Sequence, residues 1–86
     1  MSYTLKFEEQ AKKDLDGLNH VKRKRIIEKL EWFSQHPDRS RNVKYIEKYN
    51  CLRYRIGNFR IFFEKEKKDE EIKILKIEKR PKAYRK

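Results

Sequence analysis

The sequence predicts a small α+β domain: an antiparallel-dominated sheet of about four strands with two N-terminal helices packed on one face, in the order β-α-α-β-β-β. Three observations carry this reading. A short period-two run opens the chain, two stretches of helical apolar spacing follow, and alternating runs around turn residues fill the remainder. Eighty-six residues make a single domain over 1–86, with one core and about 60% of the unfolded surface buried.

Each element has its own signal. Tyr3, Leu5 and Phe7 alternate with Thr4 and Lys6, as in a strand with one buried face. Ala11, Leu15 and Leu18 continue from Phe7 at helical spacing, which predicts a first helix over residues 8 to 17, broken at Gly17 and Asn19-His20. Ile26, Ile27, Leu30 and Phe33 make one face of a second helix from Val21 to about Gln35, with Lys22, Arg23, Lys24, Arg25, Glu28, Lys29 and Glu31 outside. Pro37 closes it, and Trp32 reads as core edge beside Phe33. Residues 38 to 50, carrying Arg39, Arg41, Lys44 and Lys48, read as a basic connection.

The connection leads into the most informative segment, Asn50 to Lys65. Two alternating runs flank Gly57-Asn58, a turn pair of the β-hairpin type. With those residues as the loop, Ile56 pairs with Phe59, Tyr54 with Ile61 and Leu52 with Phe63 on a core-facing side. The other side carries Arg53, Arg55, Arg60, Phe62 and Glu64, with Arg55 opposite Arg60 and Arg53 opposite Phe62. Like charges facing each other across strands cost roughly 0.2–1 kcal/mol, so this placement points to an anionic ligand, with Phe62 expected as an exposed aromatic beside it. Residues 65 to 71 form an exposed tip, and Ile72 to Ile77 the last strand. There Ile72 and Ile74 are out of phase with Leu75 and Ile77, which requires a bulge near Ile74-Leu75 or cover on both faces. Pro81 stops the basic tail from continuing as an interior strand.

Charge narrows the function classes. With 25 Lys and Arg against 14 Asp and Glu the chain carries +11, which steers it to polyanions, nucleic acid or a ribonucleoprotein first. It has no apolar run long enough to span a membrane and no secretory apolar core at its start, so a cytoplasmic, non-membrane protein is expected. Cys51 stands alone, which excludes an internal disulfide and a cysteine-based zinc site. His20 and His36 fall at loops or helix ends, without partners at metal-ligand spacing. No cofactor or metal is expected.

The chain resembles the RelE/ParE superfamily of toxins from bacterial and archaeal toxin–antitoxin pairs. The hairpin Leu52 to Ile61 is similar to that family's R-x-R-x-G-x-[YF]-R-[IL] segment, and Ile77 to Arg85 to its H-R-x-x-x-Y-R ending. In the RelE branch the resemblance implies a ribosome-dependent endoribonuclease that enters the ribosomal A site and cuts messenger RNA without a metal, the 2′-hydroxyl attacking its own adjacent phosphate. Such chemistry needs a base, cations on the developing phosphorane and a proton for the leaving oxygen. By resemblance Arg60 and Arg80 stabilise the phosphate and transition state, Arg53 and Arg55 position the substrate, and Tyr84 is base or stacking partner. Phe62, Lys44, Lys48, Lys79, Lys82 and Arg85 would contact RNA. Lys79 stands where several mRNA-cleaving members have histidine, which removes a histidine acid or base from that position.

The resemblance also implies a cognate RelB-like antitoxin whose acidic, amphipathic segment covers the basic face. Two other functions fit the same chain: a ParE-like toxin acting on DNA gyrase, and a non-catalytic ribosome- or RNA-binding module.

Overall fold

A computed structural model describes residues 3–39 and 42–79. Its elements are β1 (Thr4–Phe7), α1 (Glu9–Asp16), α2 (His20–Gln35), a 3-10 turn (Pro37–Arg39), β2 (Val43–Ile46), β3 (Cys51–Ile56), β4 (Phe59–Glu66) and β5 (Glu71–Lys79). The five strands form one sheet in the order β1-β5-β4-β3-β2. Among the described strands only the β1–β5 pair is parallel, the first strand of the chain lying at the sheet edge beside the last.

β2 departs from the expected four strands. Val43–Ile46 pairs antiparallel with Cys51–Ile56, Lys44 opposite Arg53 and Ile46 opposite Cys51, where a basic connection was expected. Four residues with two polar members carry little periodicity of their own. An edge strand of this kind is created by its partner's free backbone groups more than by its own pattern.

The helices begin and end for local reasons. The Asn19 side chain accepts from the Lys22 N–H at 2.9 Å, capping α2. At the other end, the residue before Pro37 leaves the α region, His36 sitting at φ −135°. The two helices are clasped by Arg23 of α2, which donates from Nε to the Leu15 carbonyl at 3.0 Å and from Nη2 to the Leu18 carbonyl at 2.9 Å. Those are carbonyls at and just past the end of α1, where the helix leaves acceptors unsatisfied and its dipole favours a cation.

Ala11, Leu15, Ile26, Leu30 and Phe33 from the helices meet Tyr54, Ile56, Phe59, Ile61, Phe63, Ile72, Ile74 and Ile77 from one sheet face. Phe33 sits at the centre, stacked on Tyr54 at 4.6 Å and edge-on to Phe63 at 5.2 Å. Trp32 points outward and is exposed, stacked on His36 at 4.8 Å, in place of the expected core edge.

The phase problem in the last strand is solved in two ways at once. Phe62 pairs with Lys76 and Phe63 with Ile74, so Leu75 is a bulged extra residue. That shift puts Ile72, Ile74 and Ile77 on the helix side, all buried. The strand also lies between β1 and β4, inside the sheet. Beyond Phe7, where β1 ends, Asp14 takes over its role: the Ile77 N–H donates to Asp14 Oδ2 at 2.8 Å. β5 also runs two residues past Ile77, to Lys79.

Candidate nucleic-acid interface

The hairpin turn decides which side chains share the helix-free face. Gly57 takes φ +56°, while Asn58 keeps an ordinary negative φ, the arrangement of a two-residue turn with glycine first. The resulting register has Ile56 opposite Phe59, Tyr54 opposite Ile61, Leu52 opposite Phe63, Arg53 opposite Phe62 and Arg55 opposite Arg60, every pair as the sequence indicates.

Two rows of side chains cross the helix-free face. One runs Lys44, Arg53, Phe62, Lys76 from β2 to β5, and the next Arg55, Arg60, Glu78. Arg60 Nη2 lies 3.3 Å from Glu78 Oε1, and Lys76 Nζ lies 3.1 Å from Glu78 Oε2. One carboxylate thus serves two cations, and Arg55 and Arg53 form no ion pair among the described residues. The Nε atoms of both Arg53 and Arg60 are buried without a hydrogen-bond partner there. Two desolvated guanidinium donors on one face are costly unless an acceptor arrives. A phosphate oxygen suits them, since guanidinium binds oxyanions with two parallel donors.

Phe62 does not match its expected role. It is 4% exposed, covered edge-on by Tyr49 at 5.6 Å and by Lys76 Nζ at 5.3 Å from its ring. The cover comes from the β2–β3 turn, which exists because β2 does. Lys48 lies on that turn, 5.6 Å from the Tyr49 ring. Lys79 is also placed differently. Its cross-strand partner is Phe59, so it lies on the helix side and lines a cleft of 310 Å³ with Lys22, Arg25, Ile26 and Ile56. Arg80, Lys82, Tyr84 and Arg85 lie outside the described residues.

Lys76, Glu78 and Tyr49 are members of this face that the sequence reading missed. Lys76 and Glu78 alternate with Ile77, so a bulge fixed at Leu75 would have placed them. Tyr49 has no comparable signal, because its position depends on an unrecognised strand. Cys51 is buried at the start of β3. Burial pushes its thiol pKa up, Glu64 adds to the rise and Lys76 opposes it. No group of three or more metal-ligating side chains occurs among the described residues, and no helix there is long and apolar enough to cross a membrane.

A helical hairpin on one face of a mixed five-stranded sheet, with cations gathered on the other, defines the class of this small α+β domain. The chain belongs to the family described as the ParE toxin of type II toxin–antitoxin systems, parDE, whose model matches residues 5–84. Solved structures of the RelE/ParE superfamily share the fold. A RelE–RelB complex from Pyrococcus horikoshii is 28% identical, with 96% of this chain and 100% of that one covered at a TM-score of 0.79. The RelBE2 toxin–antitoxin complex from Mycobacterium tuberculosis is 21% identical, covering 93% and 100% at 0.79. The isolated Escherichia coli RelE toxin is 18% identical, covering 96% and 89% at 0.78. No curated protein sequence matches the chain.

Proposed function

We propose that this toxin is a ribosome-dependent endoribonuclease that cuts messenger RNA in the A site and so blocks translation. The observation that carries the reading is the pairing of Arg55 opposite Arg60 beside Arg53, with two buried guanidinium nitrogens lacking acceptors. Such a face is organised for the phosphodiester, where charge grows as the reaction proceeds.

In this mechanism the 2′-hydroxyl oxygen gives its proton to the base and attacks the adjacent phosphorus, the bond to the 5′-oxygen breaks, and that oxygen takes a proton from water, leaving a cyclic phosphate and a free 5′-hydroxyl. Arg60, steered by Glu78, neutralises the non-bridging oxygens of the phosphorane together with Arg80. Arg53, Arg55 and Lys44 hold the flanking backbone. Tyr84 is the proposed base. An ordinary tyrosine pKa near 10 is too high for that role, and the role requires cations close enough to the phenol to lower it. Neither protein-bound metal nor cofactor enters these steps.

The proposed partner is an antitoxin with an acidic, amphipathic segment, which neutralises the basic face of a +11 chain. The structures of RelE with RelB from Pyrococcus horikoshii and of RelBE2 from Mycobacterium tuberculosis support this reading. A second reading, inhibition of DNA gyrase, is favoured by the family match over residues 5–84.

Primer extension on a defined message in a translating extract separates the two, run with wild type, Arg60→Ala and Tyr84→Phe, with and without ribosomes. A-site cuts that need ribosomes and disappear with Arg60→Ala are expected. An uncut message, together with loss of gyrase supercoiling on adding the folded protein, would move the assignment to gyrase.

A further inference from the structure

We infer that Tyr49 is the nucleobase-stacking residue of the arginine face, presented on the β2–β3 turn above the buried ring of Phe62. The inference rests on the RNA-directed reading above and names how that site takes hold of a base. Phosphate contacts alone are blind to bases, so an exposed aromatic is needed if the site engages an unpaired nucleotide.

The geometry supplies one. Tyr49 is 51% exposed, yet its ring is braced: it meets Phe62 edge-on at 5.6 Å and 81°. Its backbone is set by the turn that follows, where Asn50 takes φ +53° and accepts a hydrogen bond from the Tyr45 hydroxyl. Asparagine tolerates that left-handed conformation better than other non-glycine residues. The ring is therefore held in place before any ligand arrives, and stacking on it costs little ordering.

Its surroundings fit a nucleotide. Lys76 Nζ, 5.3 Å from the ring centroid, is tied to Glu78 at 3.1 Å. Lys48 Nζ, at 5.6 Å, makes no ion pair among the described residues. A base arriving on the ring displaces the Lys48 ammonium, which turns to a backbone phosphate. Arg53 stands directly opposite Phe62 in the next strand, so a base on Tyr49 puts its own phosphate toward the guanidinium whose Nε lacks a partner. Phe62 is the support under the platform.

The test is a binding cycle with a short single-stranded 2′-O-methyl RNA, which the proposed reaction cannot cleave, and the same backbone with its central nucleotides abasic. Wild type is expected to bind the base-bearing strand on the order of tenfold more tightly than the abasic one. Tyr49→Leu should bind both alike, near the abasic affinity, and Tyr49→Phe should keep the wild-type preference. A structural loss would weaken both strands equally and would overturn the inference, as would an undiminished preference in Tyr49→Leu. Arg60→Ala provides the separation: if it weakens both strands while Tyr49→Leu keeps the preference, the stacking inference alone fails. If neither strand binds wild type better than Arg60→Ala, the RNA-directed reading falls, and the stacking inference with it.

Discussion

Arg55 and Arg60 stand directly opposite each other across β3 and β4, and Glu78 pairs with Arg60 at 3.3 Å but makes no ion pair with Arg55. The chain thus keeps a like-charge cross-strand pair half compensated. Threonine in place of Arg55 removes the repulsion and suits a strand, so Arg55→Thr should raise folding stability by roughly 0.2–1 kcal/mol. The same variant should weaken RNA binding and cleavage. A higher urea midpoint with an unchanged slope, beside reduced A-site cutting, is the expected pair of results.

Glu78 restrains the face by occupying Arg60 and Lys76. Glu78→Gln should free both cations, tighten binding to single-stranded RNA and steepen the dependence of log affinity on log salt by about one phosphate contact. Cleavage should not rise in proportion, because Arg60 loses the carboxylate that steers it. Titrations between low and moderate salt measure the first effect, and single-turnover cutting on ribosomes the second.

The bond from the Ile77 N–H to Asp14 fastens α1 to an inner strand of the sheet across 63 positions of sequence. Asp14→Ala leaves that strand donor without its acceptor and should cost about 1–3 kcal/mol. Asp14→Asn retains an acceptor and should lose less. Equilibrium urea unfolding ranks the two.

Arg23 presents two donors to two carbonyls at the end of α1. Lysine keeps the charge but lacks the planar fork. Arg23→Lys should therefore recover only part of the roughly 1–3 kcal/mol lost in Arg23→Ala, again read by urea unfolding.

Burial and Glu64 hold the Cys51 thiol above its ordinary pKa, so the protonated form is favoured in the folded chain. Alkylation of the native protein at neutral pH should be slower than that of the unfolded chain. Glu64→Gln removes one of the raising causes and should speed alkylation at a given pH. By linkage, the stability that Cys51 contributes is complete below the unfolded thiol pKa and is lost as pH rises through the higher folded value. A rate set by thiolate fraction, followed against pH with iodoacetamide, checks the direction.

Much of the molecule was legible because its signals are local. Gly57-Asn58 and the alternation on either side fix the hairpin register, since a slip of one residue would turn Tyr54, Ile61 and Phe63 out of the core and Arg53 and Arg60 into it. Both helices follow from apolar spacing. The phase change around Ile74-Leu75 is visible in the sequence itself, as a bulge or as cover on both faces, and the pairing with β4 fixes a bulge at Leu75. The arginine face is a consequence of these same patterns, because in a strand the identity of one face dictates the other.

What only the tertiary structure decided depends on neighbours distant in sequence. β2 is a strand because β3 offers it an edge, and its own four residues carry no clear period. From β2 follows the turn that lays Tyr49 over Phe62, exchanging which aromatic is buried and which is open. From the bulge and the pairing with β4 follow the entry of Lys76 and Glu78 into the arginine face and the placement of Lys79 beside Phe59. The parallel placement of β1 beside β5 is likewise a packing result. Local sequence sets periodicity and turn geometry; which face a residue shares, and what covers it, is set by long-range pairing and burial that no local window contains.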